Sequence, residues 1–274
     1  VAGTYRTIRN TLRFQLGNLH DFDITKNAIP QGEMTSIDRW ILQKLRKLIH
    51  RCTEAYEAYD FHRVYQLLNH FCSVELSATY HDILKDRLYT YAPDWKERRS
   101  SQTAMAIIFG ALTRLLAPIL TFTADEAMDY FPGGRGAASV HLMDWPDVSE
   151  VEDFPEEAEV EAIIQFREKI HEKLEILRQN KVIGQSLDAK IIIKGSDDMF
   201  KILEKHEKDL PEFFIISQVV LMEAQGETCV EAALCGWERC QRSWRRVPKL
   251  VDYGEFKGIS ERCRRALEGN FSKN

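Results

Sequence analysis

The 274-residue chain carries 37 Lys/Arg against 42 Asp/Glu, a formal net charge of −5, and 44% of its residues are hydrophobic. That length suits two or three domains with a real core, and no run approaches the ~18 continuous apolar residues a membrane span needs, so a soluble protein without a membrane partner is expected. Its six cysteines, Cys52, Cys72, Cys229, Cys235, Cys240 and Cys263, show no disulfide-dense spacing, which fits a reducing cytoplasm.

The chain opens with "VAGTYRTIRNTLRF", which has neither an initiator Met nor a signal-peptide apolar region. It reads as a helix over 2–18 and as a piece of a larger polypeptide. From 37 to 59, Ile37, Ile41, Leu45, Leu48, Cys52, Ala55 and Tyr59 recur at steps of three and four, the stripe of an amphipathic helix. Asp60 is placed to cap a further helix running to about Leu88, which "YAPDW" breaks. A third long segment spans 94–116 and stops before Pro118. Thr123 with Glu126 suggests a capping box, and Pro132-Gly133-Gly134 closes the helix it opens. Together these predict an antiparallel helical bundle over 1–146.

The segment 147–157 is acidic and reads as a linker. The period then changes. A helix over 158–180, the β-rich "SLDAKIIIKG", a helix near 197–207 and the β-rich "FFIISQVVLMEA" predict a small α+β module over 158–225. From 226 to 274 the chain is rich in Arg, Cys, Trp and Gly with little periodicity, as expected of a ribbon held by something other than a hydrophobic core. The fold class expected is mainly α: bundle, α+β module, ribbon-like tail.

Charge is unevenly spread. From Cys235 onward there are ten Lys/Arg and five Asp/Glu, a local +5, leaving 27 Lys/Arg and 37 Asp/Glu for the other 234 residues. A basic tail is either a solvated surface or a phosphate-binding one.

The strings "YRTIRNTLRFQLGNLHDFD", "FHRVYQLLNHFCSVELSATYHDILKDRLYT", "RRSSQTAMAIIFGALTRLLAPILTFTADEAM", "SVHLMDWP" and "NKVIGQS" with "LDAK" resemble the C-terminal part of bacterial isoleucyl-tRNA synthetases, over essentially the whole chain. The resemblance implies an anticodon-binding bundle of the class I synthetase type, a small α+β module and a zinc-binding tail, acting as a monomer. It implies tRNA(Ile) as partner, with the ATP-using catalytic core and the editing domain elsewhere in the same polypeptide. Neither nucleotide-binding signature of such a core occurs here, so the expected function is tRNA recognition for an aminoacyl-tRNA ligase and not catalysis by this chain alone. A freestanding, non-catalytic RNA- or protein-binding paralogue is the alternative.

In the family, the tail places its four ligands as two C-x-x-C pairs, the first followed by Trp. Here "CQRSW" and "SERCRRAL" align with them, so Cys240 and Cys263 keep ligand positions while Ser243 and Ser260 take the other two. A hydroxyl is a poor zinc ligand beside thiolate, and two thiolates alone are a weak set. Three readings stay open: Cys235 as a third ligand, a metal-free tail packed by Trp237, Trp244 and Val247, or cysteines changed to serine.

For RNA, Trp244 among Arg242, Arg245 and Arg246 suits an unstacked base and its backbone, although a core role for that Trp competes. Arg262, Arg264 and Arg265 form a second basic run. On the bundle, Arg87, Lys96, Arg98 and Arg99 are expected to line the groove for the anticodon stem, alongside Lys85. Arg6, Arg9 and Arg13 repeat at helical spacing, facing RNA or another domain. Among the eight His, none has a nucleophile and an orienting group at catalytic spacing, and His62, His70 and His81 read as satisfied or solvent-facing.

Overall fold

The computed structural model describes residues 2–134, 136–154 and 157–271. Two compact units emerge: Val1–Leu88 with Pro93–Glu157, and Tyr89–Ala92 with Ala158–Asn274.

The first unit is mainly helical and runs past the expected bundle boundary at 146, to Glu157. Helix α1 covers Ala2–Asn18, followed by the short α2 (Ile24–Asn27), capped by the Asp23 side chain. Helix α3 (Ser36–Glu57) buries its predicted stripe from Ile37 to Ala55. Tyr59 leaves that stripe: it lies past the helix end with φ 57° and is 81% exposed. Asp60 accepts from Arg63 N and caps α4 (Phe61–His70) as its spacing predicts. A π-helical stretch, Phe71–Tyr80, continues into α5 (His81–Thr90). In that wide turn the Ser77 hydroxyl donates to the Cys72 carbonyl, five residues back, at 2.7 Å. Tyr80, at the end of this stretch, is fully buried. Helix α6 (Lys96–Leu116) runs through the centre of the unit, with Met105, Ile108, Phe109, Leu112 and Leu115 buried. Helix α7 (Thr121–Asp129) starts two residues before Thr123, so the expected Thr123/Glu126 capping box does not form.

The acidic stretch is no linker. Its carbonyls are held by the bundle: Val148 and Val151 O accept from Arg46 at 2.7 Å each, and Glu152 O accepts from Gln43 at 2.5 Å. Arg114 pairs with Glu150, Lys47 pairs with Glu157, and Val151 is buried. The acidic residues complement basic ones on α3 and α6, which the local composition of 147–157 could not reveal.

The second unit opens with α8 (Glu157–Gln179), which buries Ile163, Phe166, Ile170 and Leu174. Strand β1 (Ala189–Gly195) alternates buried and half-buried residues, the period of a sheet covered on one face. Helices α9 (Asp198–Lys205) and α10 (Leu210–Phe213) lead to β2 (Gln218–Glu223), parallel to β1. The third strand, β3 (Cys229–Leu234), lies antiparallel on the other side of β1. The expected boundary at 225/226 therefore falls inside this module: a central strand must satisfy main-chain groups on both edges, and the chain beyond 226 supplies the second. At Gly195 a Cβ would lie 2.9 Å from the Thr228 Cα, so close packing of the turn into β3 requires glycine there.

The tail holds two hairpins, β4 (Glu238–Arg239) with β5 (Arg246–Val247) and β6 (Leu250–Tyr253) with β7 (Phe256–Ser260), then α11 (Glu261–Phe271). Gly254, with φ 56°, makes the second turn. Contrary to the expected core-less ribbon, Cys240, Ile259, Cys263 and Leu267 form a small apolar core with Val247, Leu250, Val251, Tyr253 and Phe256 against it. Its members are too far apart in sequence to show as periodicity.

Candidate nucleic-acid interface

The tail's geometry begins at its two cysteine boxes. The β4–β5 turn is closed by Cys240 N to Arg245 O at 2.9 Å and Trp244 N to Cys240 O at 2.9 Å. Around this turn, Ser243 N and Ser260 N donate to Cys240 Sγ at 3.4 and 3.1 Å, and Cys263 Sγ lies 3.7 Å from it. Ser260 Oγ accepts from Cys263 N at 3.2 Å, at the start of α11. All four box residues are buried together. The hydrogen bond between the two sulfurs holds the Cys240 thiol well below the usual range, while the same bond and burial push Cys263 up.

Zinc fits this arrangement in shape but not in donors. Zn–S bonds of about 2.3 Å put tetrahedral corners ~3.8 Å apart, close to the 3.7 Å between the sulfurs. The remaining corners offer serine hydroxyls, and Ser243 Oγ is buried without a hydrogen-bond partner. Cys235 does not complete the set: its thiol faces Gln218 Oε1 at 3.8 Å. Among the described residues, no three of His, Cys, Asp and Glu come together to hold a metal.

Trp244 follows the first box. It takes φ 61°, is 54% exposed, and carries the Arg239 guanidinium 4.9 Å from its ring centroid. The competing core role for Trp244 is not what the fold uses: the turn closed on Cys240 leaves the ring half-exposed, and the tail's core forms around Cys240, Ile259, Cys263 and Leu267 without it. Arg239 was missed because it belongs to neither arginine run, although it flanks the box on the N-terminal side.

The arginines divide by what they touch. Arg245 donates to the Pro211 and Ile216 carbonyls, at 3.3 and 2.8 Å, and Arg246 pairs with Asp188 at 2.9 Å while donating to Trp237 O. Both fasten the tail to the α+β module, which withdraws them from the expected phosphate surface. Arg242 donates to Thr90 O, and Arg262 reaches the Thr90 hydroxyl at 3.1 Å and stacks on Tyr91 at 4.7 Å. Arg264 is paired with Glu261 and Glu268 on α11, and Arg265 is exposed.

The expected groove on the bundle changes most. Arg87 is 3% exposed and bonds Asp38, Thr35 and Ser101. Arg98, 6% exposed, grips Asp21 through two hydrogen bonds of 2.6 and 3.1 Å. Burial pushes the Asp21 carboxyl up, but Arg98, Gln102 and Arg99 together bring it below its ordinary value. Arg99 is largely covered as well, donating to Asp21 O and Gln102. An interior guanidinium whose donors are already paired cannot line a groove. Lys96 and Lys85 stay exposed, paired at the surface with Glu33 and Asp82. Arg9 and Arg13 instead flank a cleft of about 760 Å³ between α1 and α7, with Leu16, His20, Glu126 and Tyr130.

Residues 38–193 match the family model described as the anticodon-binding domain of tRNA ligase. The chain is 42% identical to an isoleucine–tRNA ligase of Carboxydothermus hydrogenoformans over 96% of its own length and 29% of that relative. It is 39% and 40% identical to those of Natranaerobius thermophilus and Thermotoga maritima, over 97% of the chain and 30% of each. The chain thus spans about three tenths of the relatives it matches. With a helical bundle where the family model matches and a built basic tail beyond it, the chain belongs to the anticodon-binding domain family of tRNA ligases.

Proposed function

We propose that this chain recognises the anticodon arm of tRNA(Ile) and positions it for ATP-dependent isoleucylation by a class I catalytic core lying elsewhere in the polypeptide. The family match and the names of the relatives support the partner class. The observation that carries the reading in this chain is Trp244: an exposed ring backed by Arg239 at 4.9 Å is a platform on which an unstacked base can lie. Arg242, Arg262, Arg264 and Arg265 supply positive charge along the same tail, and Lys96 supplies it on the bundle.

Binding of tRNA(Ile) should weaken by roughly 0.7 to 0.9 log unit per decade of salt for each phosphate neutralised. A tRNA with an altered anticodon should bind more weakly at every salt concentration, because base contacts and not phosphate contacts carry sequence information. Equal binding of the two tRNAs, unchanged by Trp244→Ala, would overturn the reading. The isolated chain should catalyse neither isoleucine-dependent pyrophosphate exchange nor tRNA charging.

A further inference from the structure

Cys240 and Cys263 meet inside the tail's core, reaching it from the β4–β5 turn and the first turn of α11, with their sulfurs 3.7 Å apart. Both are buried. Besides the amides of Ser243 and Ser260 on Cys240 Sγ, no third His, Cys, Asp or Glu joins the pair among the described residues. The neighbouring Ser243 Oγ has no hydrogen-bond partner, so a polar group already lines the space beside them. Two thiols in contact, with too few metal-ligating side chains beside them to complete a zinc site, are placed for oxidation to each other.

We propose that Cys240 and Cys263 are a reversible redox crosslink, closed by a peroxide. One sulfur attacks hydrogen peroxide, the O–O bond breaks, and a sulfenic acid and one water result. The second sulfur then attacks the first: the S–S bond forms, the S–O bond breaks, and the departing hydroxyl leaves as water with the second thiol's proton. Two thiols lose two electrons and two protons, and one peroxide becomes two waters. The sulfurs close from 3.7 Å to about 2.0 Å, a motion of side chains on two turns already hydrogen-bonded to each other through Ser260 N and Cys240 Sγ. Burial slows entry of the oxidant without changing which sulfur is nearest. The bond fixes the spacing between the Arg242–Arg246 and Arg262–Arg265 runs, and it holds the tail in the way four metal ligands otherwise would.

The test treats the whole chain with hydrogen peroxide, alkylates the remaining thiols, and maps the peptides by mass. The expected product joins the Cys240 and Cys263 peptides, short of two hydrogens, and is released by dithiothreitol. The tail's thermal transition should rise by several degrees on oxidation, since the bond closes a long loop. Cys263→Ser should abolish both the crosslink and the rise, leaving Cys240 as a sulfenic acid trapped by dimedone. Cys229→Ser, which removes an exposed thiol outside the tail core, should leave the crosslink intact and checks the result in a second background. Separate alkylation of Cys240 and Cys263 after Cys229 has been fully oxidised, or a bond from either to another cysteine, overturns the proposal.

Discussion

Arg87 Nη1 lies 3.2 Å from Asp38 Oδ2, an ion pair whose side chains are 4% and 0% exposed. Tyr80 OH donates to the other carboxylate oxygen at 2.6 Å, and Ser100 and Thr35 donate to Oδ2 at 2.5 and 2.6 Å. The network ties α3, the π-helical stretch, α5 and α6 together at one point in the bundle. Such a pair adds little over an apolar replacement, yet breaking it strands a buried charge. Arg87→Ala should therefore destabilise the bundle by about 3–5 kcal/mol, measured by urea unfolding. A loss below ~1 kcal/mol would show that water reaches Asp38.

His81 gives the bundle a pH dependence. It is 4% exposed, stacks on Phe14 at 4.3 Å, and its Nε2 has no hydrogen-bond partner. Burial first, then the charge of Lys85, pushes its pKa from the ordinary 6.5 down to about 3. The unfolded chain thus binds a proton that the folded chain refuses. Stability from this group is complete above the ordinary value and is lost as pH falls from there toward 3, at up to about 1.4 kcal/mol per pH unit. His81→Phe should flatten that part of the stability profile. An unchanged acid slope in the variant would assign it to other groups.

The metal content follows from the donor set. Protein purified without chelator should carry well under one zinc per chain by elemental analysis. Ser243→Cys with Ser260→Cys should bind one zinc and raise the tail's stability, because metal affinity at such a site is folding free energy. Stoichiometric zinc in the unmodified chain would mean that the serine hydroxyls serve as ligands.

Trp244 separates recognition from folding. Trp244→Ala should cost about 1–3 kcal/mol in tRNA binding with little change in salt slope, and the tail should remain folded because the ring lies outside the core. Trp244→Gly should lose the same affinity while stabilising the turn slightly, since φ 61° suits glycine. A tail that unfolds in both variants would restore the ring to a structural role.

Charge reversal distinguishes the arginines. Arg239→Glu with Arg265→Glu should lower both tRNA affinity and the salt slope. Arg245→Glu should instead weaken the tail's attachment to the Pro211 and Ile216 carbonyls and show as a thermal transition. A slope that responds to Arg245→Glu without loss of structure would return that residue to the RNA surface.

By itself, the sequence determined several of the bundle's helices: 2–18 is the observed Ala2–Asn18, the Ile37-to-Ala55 stripe is buried, and Asp60 caps α4. These are legible because helical period and capping depend on residues three or four apart. The cysteine boxes were legible for the same reason, each being a four-residue turn. What the tertiary structure decided was partnership. Arg87 and Arg98 share the surface-like string "KDRL…WKERRS", but Asp38 and Asp21, 49 and 77 residues away, turn them inward. β3 joined the sheet because β1 had an open edge, and Trp244 faced outward because the turn on Cys240 left it a left-handed backbone. Charge, edge and void are filled by whichever residue the folded chain brings near, and no local pattern records which one that will be.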